Sequence, residues 1–155
     1  MAPGSAAPSA ASGLAGLDPG RSKCGLVRTD PQRRRIEAAV VLPPEQAWAQ
    51  LEQWCRQGLV EAVVLGNGTG SHAWQDRLTP LVTVELVEER GSTLAARERY
   101  WQLFPPRGWR RCLPRGLRQP PRDWDDVVAQ LLLERHLGQP LRRACDQKLA
   151  RTVKA

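Results

Sequence analysis

The sequence predicts an α/β protein in which a mixed β-sheet, with three antiparallel strands followed by parallel strands, is flanked by α-helices. Three observations lead to this prediction. Short apolar runs joined by turn residues come first, apolar runs that alternate with helical patterns follow, and a last helical segment comes after them. Strands that precede alternating strand–helix units give a mixed sheet with helices on its faces.

Three strands are predicted in the first third of the chain. Residues 14–18 form a short apolar run that ends on an acid, and Pro19-Gly20 turns the chain towards a second run at residues 24–27. Turn residues at positions 29–32 precede a third strand at residues 36–42, in which apolar residues alternate. The short turns between the three runs indicate an antiparallel meander.

Alternating helices and strands follow. Pro43-Pro44 opens a helix, because proline is tolerated in the first turn, and Gly58 ends it. The apolar run at residues 61–65 is typical of a buried parallel strand. A short helix is predicted at residues 72–78 and another strand at residues 81–87.

Two further helices are separated by a segment of unusual composition. Residues 93–103 predict a helix with Ser92 or Thr93 as its N-cap, and residues 127–137 predict the last helix. Between them, residues 104–122 contain six arginines, several prolines and glycines, and no acid. A loop of this length is usually functional or disordered.

The chain is long enough for one domain with a single core, which we expect at residues 14–138 with an insertion at 104–122. Residues 1–13 predict a disordered leader without the pattern of a secretory signal, and residues 139–155 predict a basic tail. No apolar run approaches the roughly 20 residues that span a bilayer. We therefore expect a cytoplasmic protein with no membrane partner.

The net charge and the cysteine spacing limit the functions that the protein can have. A net charge of +7 and a pI of about 10.0 indicate an anionic partner, most commonly nucleic acid. A GC-rich genome would explain many arginines, but not their excess over acids. The four cysteines have no CxxC spacing and only two histidines are present, which argues against zinc and favours reduced thiols in the cytosol.

Acidic residues stand at the ends of predicted elements. Asp18 ends the first strand, Glu89 follows the last strand, and Asp125 and Asp126 precede the last helix. Because the carboxyl ends of neighbouring parallel strands meet at one edge of a sheet, we expect these acids to converge. Clustered carboxylates repel one another unless a cation neutralises them, and such oxygen ligands select Mg²⁺ or Mn²⁺. Asp18 as a turn residue and Asp125 as an N-cap are the alternatives.

Three short motifs resemble those of the YqgF and RuvC-type nucleases. Residues 17–25 (Leu-Asp-Pro-Gly-Arg-Ser-Lys-Cys-Gly) resemble the opening strand and turn of these proteins. Residues 88–93 resemble the Asp-Glu-Arg-x-Ser/Thr-Thr motif, with Glu88 where Asp is usual. Residues 125–129 resemble the terminal Asp-Ser-x-Ala-Ala motif, with Asp126 in the Ser position.

The resemblance covers about residues 14–138, and residues 99–137 are similar to a cyanobacterial branch of the YqgF family. It implies an RNase H-like fold. By residue matching it implies catalytic and metal-ligand roles for Asp18, Glu89 and Asp125. Asp126, which departs from the motif, is a further candidate metal ligand beside Asp125. Glu88 and Glu85 compete with Glu89 for its role.

The YqgF family is linked to maturation of the 5′ end of 16S ribosomal RNA, and was described earlier, by analogy with RuvC, as a Holliday-junction resolvase. The resemblance therefore implies a divalent-metal-dependent nuclease whose partner is an rRNA precursor or branched DNA. The departures at Glu88 and Asp126 keep open a non-catalytic nucleic-acid-binding protein. We expect a monomer or a weak homodimer.

Basic and loop residues are the predicted nucleic-acid contacts. Backbone N–H groups in the Gly-rich loop at residues 66–71 can face a phosphate, although a tight turn would have the same sequence. Arginines interleaved with Trp109 and Trp124 can neutralise phosphates and stack on bases, and a solvated loop is the alternative. The predicted contacts are Arg21, Lys23, Asn67, Thr69, Arg90, Arg107, Arg110, Arg111, Arg115 and Arg118.

Overall fold

The computed structural model describes residues 12–143 and the backbone of residues 151–152. The strands are β1 Gly13–Asp18, β2 Cys24–Thr29, β3 Arg35–Leu42, β4 Val60–Gly66, β5 Thr83–Val87, β6 Arg142–Arg143 and β7 Arg151–Thr152. The α-helices are α1 Pro44–Arg56, α2 Ser71–Leu78, α3 Ser92–Leu103 and α4 Asp125–Leu137. Most of the predicted leader, and the predicted tail at residues 144–150 and 153–155, lie outside the described residues.

The predicted mixed sheet is confirmed. Its main strands lie in the order β5-β4-β1-β2-β3, in which β1, β2 and β3 are antiparallel neighbours and β4 and β5 run parallel to β1. The strands β6 and β7, which the sequence patterns did not predict, both pair parallel with β3. Because β4, β1 and β5 are parallel, their carboxyl ends meet at one edge of the sheet.

The helices cover both faces of the sheet. Helices α1 and α2 pack on one face through residues such as Leu51 and Trp74, where Leu17 points from β1. Helix α4 packs on the other face, with Leu132 against Leu14. Helix α3 lies against α4, where the contacting residues are Ala96, Tyr100, Val127 and Val128. The central strand β1 is therefore buried on both sides, as its apolar sequence predicts.

Two glycines allow α4 to lie directly on the sheet. A Cβ at Gly16 in β1 would overlap the carbonyl oxygen of Ala129, and a Cβ at Gly25 in β2 would overlap the main chain of Asp125. Close approach of two backbones requires a residue without a side chain. Gly25 thereby holds the first turn of α4 beside the end of β1, where Asp18 lies.

Several local predictions can be compared with the structure. Gly58 has a positive φ of 70° just after α1, as predicted for a helix end. The predicted N-cap of α3 is wrong, because Gly91, with φ 71°, occupies that position and Ser92 begins the helix. The insertion at residues 104–122 contains two 3₁₀ turns, Gly108–Cys112 and Arg115–Leu117. Within the described residues, no helix is long and apolar enough to cross a membrane.

Candidate active site

Three predicted acids line one pocket of about 280 Å³ at the carboxyl edge of the parallel strands. Asp18 comes from the end of β1, Glu89 from the loop after β5, and Asp125 from the first residue of α4. The other lining residues are Ser92, Thr93, Asp123, Trp124 and Val128. We call this site the carboxylate pocket.

Asp18 is the most perturbed acid of the pocket. Burial, the charge of Asp125 and the charge of Glu89 together raise the pKa of Asp18 from 3.8 to about 7. Burial is the largest cause, because a carboxylate loses its hydration in the pocket. The contribution of the other two acids means that Asp125 and Glu89 both lie within electrostatic reach of Asp18.

The Glu89 side chain packs against the Gly-rich loop. A Cβ at Gly66 or at Gly68 would overlap the Glu89 carboxylate, so both glycines leave room for it. The Asn67 side-chain oxygen accepts a hydrogen bond from the Glu89 backbone N–H at 3.1 Å. The Glu89 Oε1 atom is buried without a hydrogen-bond partner, and burial raises the Glu89 pKa.

This arrangement gives the Gly-rich loop a structural role that the sequence did not predict. The carboxylate of Glu89 occupies the space beside Gly66 and Gly68. Asn67 positions Glu89 through its side-chain oxygen, both Asn67 and Thr69 are exposed, and their contact with a phosphate stays a prediction. The competing acids Glu85 and Glu88 are exposed and do not line the carboxylate pocket.

Asp125 lies beside a charged rim. The pKa of Asp125 is raised, chiefly by burial and also by Asp123 and Asp126, while Lys23 opposes the rise. The Lys23 Nζ atom lies 2.7 Å from Asp123 Oδ2, in an ion pair whose lysine side chain is 48% exposed. Lys23, a predicted nucleic-acid contact, therefore has an acidic partner at the rim of the pocket.

Asp126 does not reach the carboxylate pocket, which corrects the expectation that it ligates a metal. Its carboxylate is fully buried and lies 2.8 Å from Arg122 Nη1 and 2.9 Å from Arg143 Nη2. Neighbouring helical residues point about 100° apart, so Asp125 and Asp126 face different surroundings. Two arginines already neutralise Asp126.

The donor chemistry of the carboxylate pocket fits Mg²⁺ or Mn²⁺. Asp18, Glu89 and Asp125 offer only hard oxygen donors, and the orphaned Glu89 Oε1 lacks the partner that a buried oxygen ordinarily has. Among residues 12–143, no group of three acidic, histidine or cysteine side chains lies close enough to hold an ion as arranged. Shared ligation therefore requires these carboxylates to move closer together.

The predicted arginine contacts have different surroundings. Arg21, Arg90, Arg107, Arg111 and Arg115 are exposed. Arg110 lies over the Trp109 ring, with its Cζ atom 4.9 Å from the ring centroid.

Arg118 stabilises its own loop through two hydrogen bonds from its guanidinium group. Its Nε donates to the Leu113 carbonyl at 2.9 Å, and its Nη2 donates to the Arg111 carbonyl at 3.2 Å. These two bonds hold the two 3₁₀ turns of the insertion together and use donors that we expected to contact phosphate.

Sequence reasoning missed several lining residues. Ser92 and Thr93 were included in the motif at residues 88–93, but neither was assigned a role in the site. Asp123 and Trp124 directly precede Asp125, so their proximity in sequence was the available signal.

No protein-family model matches this chain, and no curated protein matches it. Among solved structures, the chain is similar to T. thermophilus RuvC in complex with a Holliday-junction substrate, with 18% sequence identity and a TM-score of 0.50. The match covers 84% of this chain and 99% of that one. At this identity the likeness establishes the fold, while membership of the YqgF family stays a prediction. This chain therefore has the RNase H-like fold.

Proposed function

We propose that this protein is a divalent-metal-dependent nuclease that hydrolyses phosphodiester bonds at the carboxylate pocket. The observation that carries the proposal is the convergence of three acids with raised pKa values on one pocket. Neither Asp18 nor Glu89 has an ion-pair partner within the described part of the chain. Such uncompensated clusters concentrate at functional sites.

Residues of this chain can hold the metal ions and contact the phosphates of the substrate. Asp18, Glu89 and Asp125 would hold Mg²⁺ or Mn²⁺, which when bound supplies an activated water and stabilises the leaving oxygen of the phosphodiester. Asn67 holds the backbone beneath Glu89. Arg21 is exposed in the loop after Asp18, where it offers positive charge to the flanking phosphates.

The substrate we propose first is the 16S rRNA precursor, because the three motifs resemble the YqgF family. Branched DNA is the second candidate, because the similar RuvC structure is a complex with a Holliday-junction substrate. The net charge of +7 suits either polyanion.

The deciding experiment incubates the pure protein with a labelled 16S precursor and with a four-way DNA junction, in Mg²⁺ and in Mn²⁺. Asp18→Asn keeps the shape of the side chain but removes an anionic ligand. We expect this variant to cleave roughly 100- to 1000-fold more slowly, since metal stabilisation contributes several kcal/mol. EDTA should stop the wild type.

Asp76→Asn is the matched control, because Asp76 is exposed on α2 and does not line the carboxylate pocket. It should cleave at the wild-type rate. Cleavage by Asp18→Asn at that same rate would show that the activity arises elsewhere. Binding without cleavage of either substrate, in either metal, would replace the nuclease with a non-catalytic binding protein.

A further inference from the structure

A second cavity, of about 390 Å³, lies between α3 and the arginine-rich insertion. It shares no lining residue with the carboxylate pocket. Its volume falls within the range of about 300–1,000 Å³ that is usual for small-molecule sites. We call it the α3 cavity.

A tryptophan forms the aromatic part of the α3 cavity. Trp101 is half-buried, and its Nε1 donates to the Arg118 carbonyl at 3.3 Å. The Tyr100 ring meets it edge-on, with ring centroids 5.1 Å apart. These two contacts fix the orientation of the indole, which is thereby prepared to stack on a planar ligand.

Two arginines approach the α3 cavity from opposite sides. Arg97 lies on α3 and Arg115 begins the second 3₁₀ turn. Neither makes an ion pair or a side-chain hydrogen bond within the described residues. Arg118 also lines the cavity, and Glu98 is its one acidic lining residue. The cavity thus joins an aromatic surface to an excess of positive charge.

We propose that the α3 cavity binds one unpaired nucleotide of the strand that the carboxylate pocket cuts, an inference that rests on the proposed function. The base stacks on Trp101, and the phosphate lies between Arg97 and Arg115. A paired base cannot enter such a cavity, because stacking on a side chain requires the base to leave the helix. Gln102 offers an amide to the edge of the base.

The position of the α3 cavity supports this assignment. Thr93 lines the carboxylate pocket, while Arg97 and Trp101 line the α3 cavity. These residues are spaced by four along α3, so they lie on one face of the helix. Eight residues of helix measure about 12 Å, which corresponds to about three or four nucleotides at the stacked rise of one strand.

A cavity-filling variant tests the proposal. No heavy atom lies within 4 Å of a Cβ built at Gly116, and its φ is not left-handed, so the fold tolerates a side chain there. Gly116→Phe should fill the α3 cavity, and Gly116→Ala is the matched control. Binding to single-stranded DNA and RNA oligonucleotides is measured in EDTA, with an abasic site moved along each strand.

For the wild type and Gly116→Ala, we expect one abasic position to weaken binding by about 5- to 150-fold, the usual effect of losing one stacked base. Gly116→Phe should bind the intact strand more weakly by a similar factor, and the abasic site should cause no further loss. Equal abasic effects on DNA and RNA would indicate that the base and the phosphate are sufficient for binding at the cavity. A larger effect on RNA would indicate an additional contact with the 2′-hydroxyl group. Both results support the proposal.

A second pair of variants distinguishes binding at a specific site from a general electrostatic contribution to affinity. Arg97→Gln/Arg115→Gln and Arg107→Gln/Arg111→Gln remove the same charge, but only the first pair lines the α3 cavity. The first should weaken binding of the intact strand more than that of the abasic strand, and so reduce the abasic effect, whereas the second should weaken intact and abasic strands equally.

The proposal is overturned if no abasic position matters in the wild type, or if Gly116→Phe binds as tightly as Gly116→Ala. Because binding is measured without metal, these outcomes are independent of cleavage. A protein that shows the abasic effect but never cleaves would refute the nuclease and not the α3 cavity.

Discussion

Helix α4 separates two groups of acids that begin at adjacent residues, Asp125 and Asp126. On one side lies the carboxylate pocket, where Asp18 has a pKa of about 7 because burial and like charges are not offset by a cation. On the other side, Asp126 lies between Arg122 and Arg143. Within the described residues, the same residue type therefore lacks an ion pair at position 125 and has two at position 126.

The paired side continues along α4. Gln130 accepts from Arg143 Nε at 2.8 Å and donates to the Leu141 carbonyl at 3.1 Å. Glu134 pairs with Arg99 at 2.8 Å and accepts from the Leu141 backbone N–H at 2.6 Å.

Spacing by four places these polar residues on one face, where they attach the segment before β6 and helix α3 to α4. The comparison teaches that acids with arginine partners hold the fold together, whereas acids without partners are available for a cation.

The largest effect expected from this comparison is on stability. Asp126→Asn leaves Arg122 and Arg143 without their buried anion, which should lower the free energy of unfolding by about 3–5 kcal/mol. Asp125→Asn should leave it unchanged or raise it in metal-free buffer, because it removes a repulsive charge. Urea unfolding of both variants measures the difference, and equal losses would contradict the distinction.

A smaller effect concerns pH. The Asp18 pKa is raised from 3.8 to about 7, so between these values the folded protein binds a proton that the unfolded chain does not. Stability of the metal-free wild type should therefore fall as pH rises from about 4 to about 7, by about 2–4 kcal/mol in total.

Asp18→Asn should show a shallower slope, because only the raised pKa values of Glu89 and Asp125 still contribute to it, and it should be more stable than the wild type at pH 8 in EDTA. Adding Mn²⁺ at that pH should stabilise the wild type and not the variant. Parallel pH profiles for the two proteins would show that Asp18 is not perturbed as described.

The smallest effect on stability is expected at Gly68. A methyl group there would displace the Glu89 carboxylate, which is the far end of a flexible side chain and can move aside. Gly68→Ala should therefore change the free energy of unfolding by no more than about 1 kcal/mol. It should nevertheless weaken Mn²⁺ binding measured by calorimetry.

Gly116→Ala, where a Cβ meets open space, serves as the control and should bind Mn²⁺ as the wild type does. Unchanged Mn²⁺ affinity in Gly68→Ala would show that the space beside Gly68 does not position Glu89 for metal binding.

The sequence by itself determined the order of the strands and α-helices from β1 to α4 and the acids at their ends. Strand and helix periodicity, proline at the start of α1 and glycine after it are local properties, so they could be recognised without the fold. Asp18 at the end of β1 and Asp125 at the start of α4 were predicted on the same local grounds.

Only the tertiary structure decided what each acid faces. Arg143, which belongs to a strand beyond the predicted domain end at residue 138, neutralises Asp126. Gly66 and Gly68 resembled a phosphate loop in sequence, but they enclose Glu89 from another loop. Such contacts join distant parts of the chain, and a rotation of about 100° between adjacent helical residues decides which aspartate meets arginines and which meets the carboxylate pocket.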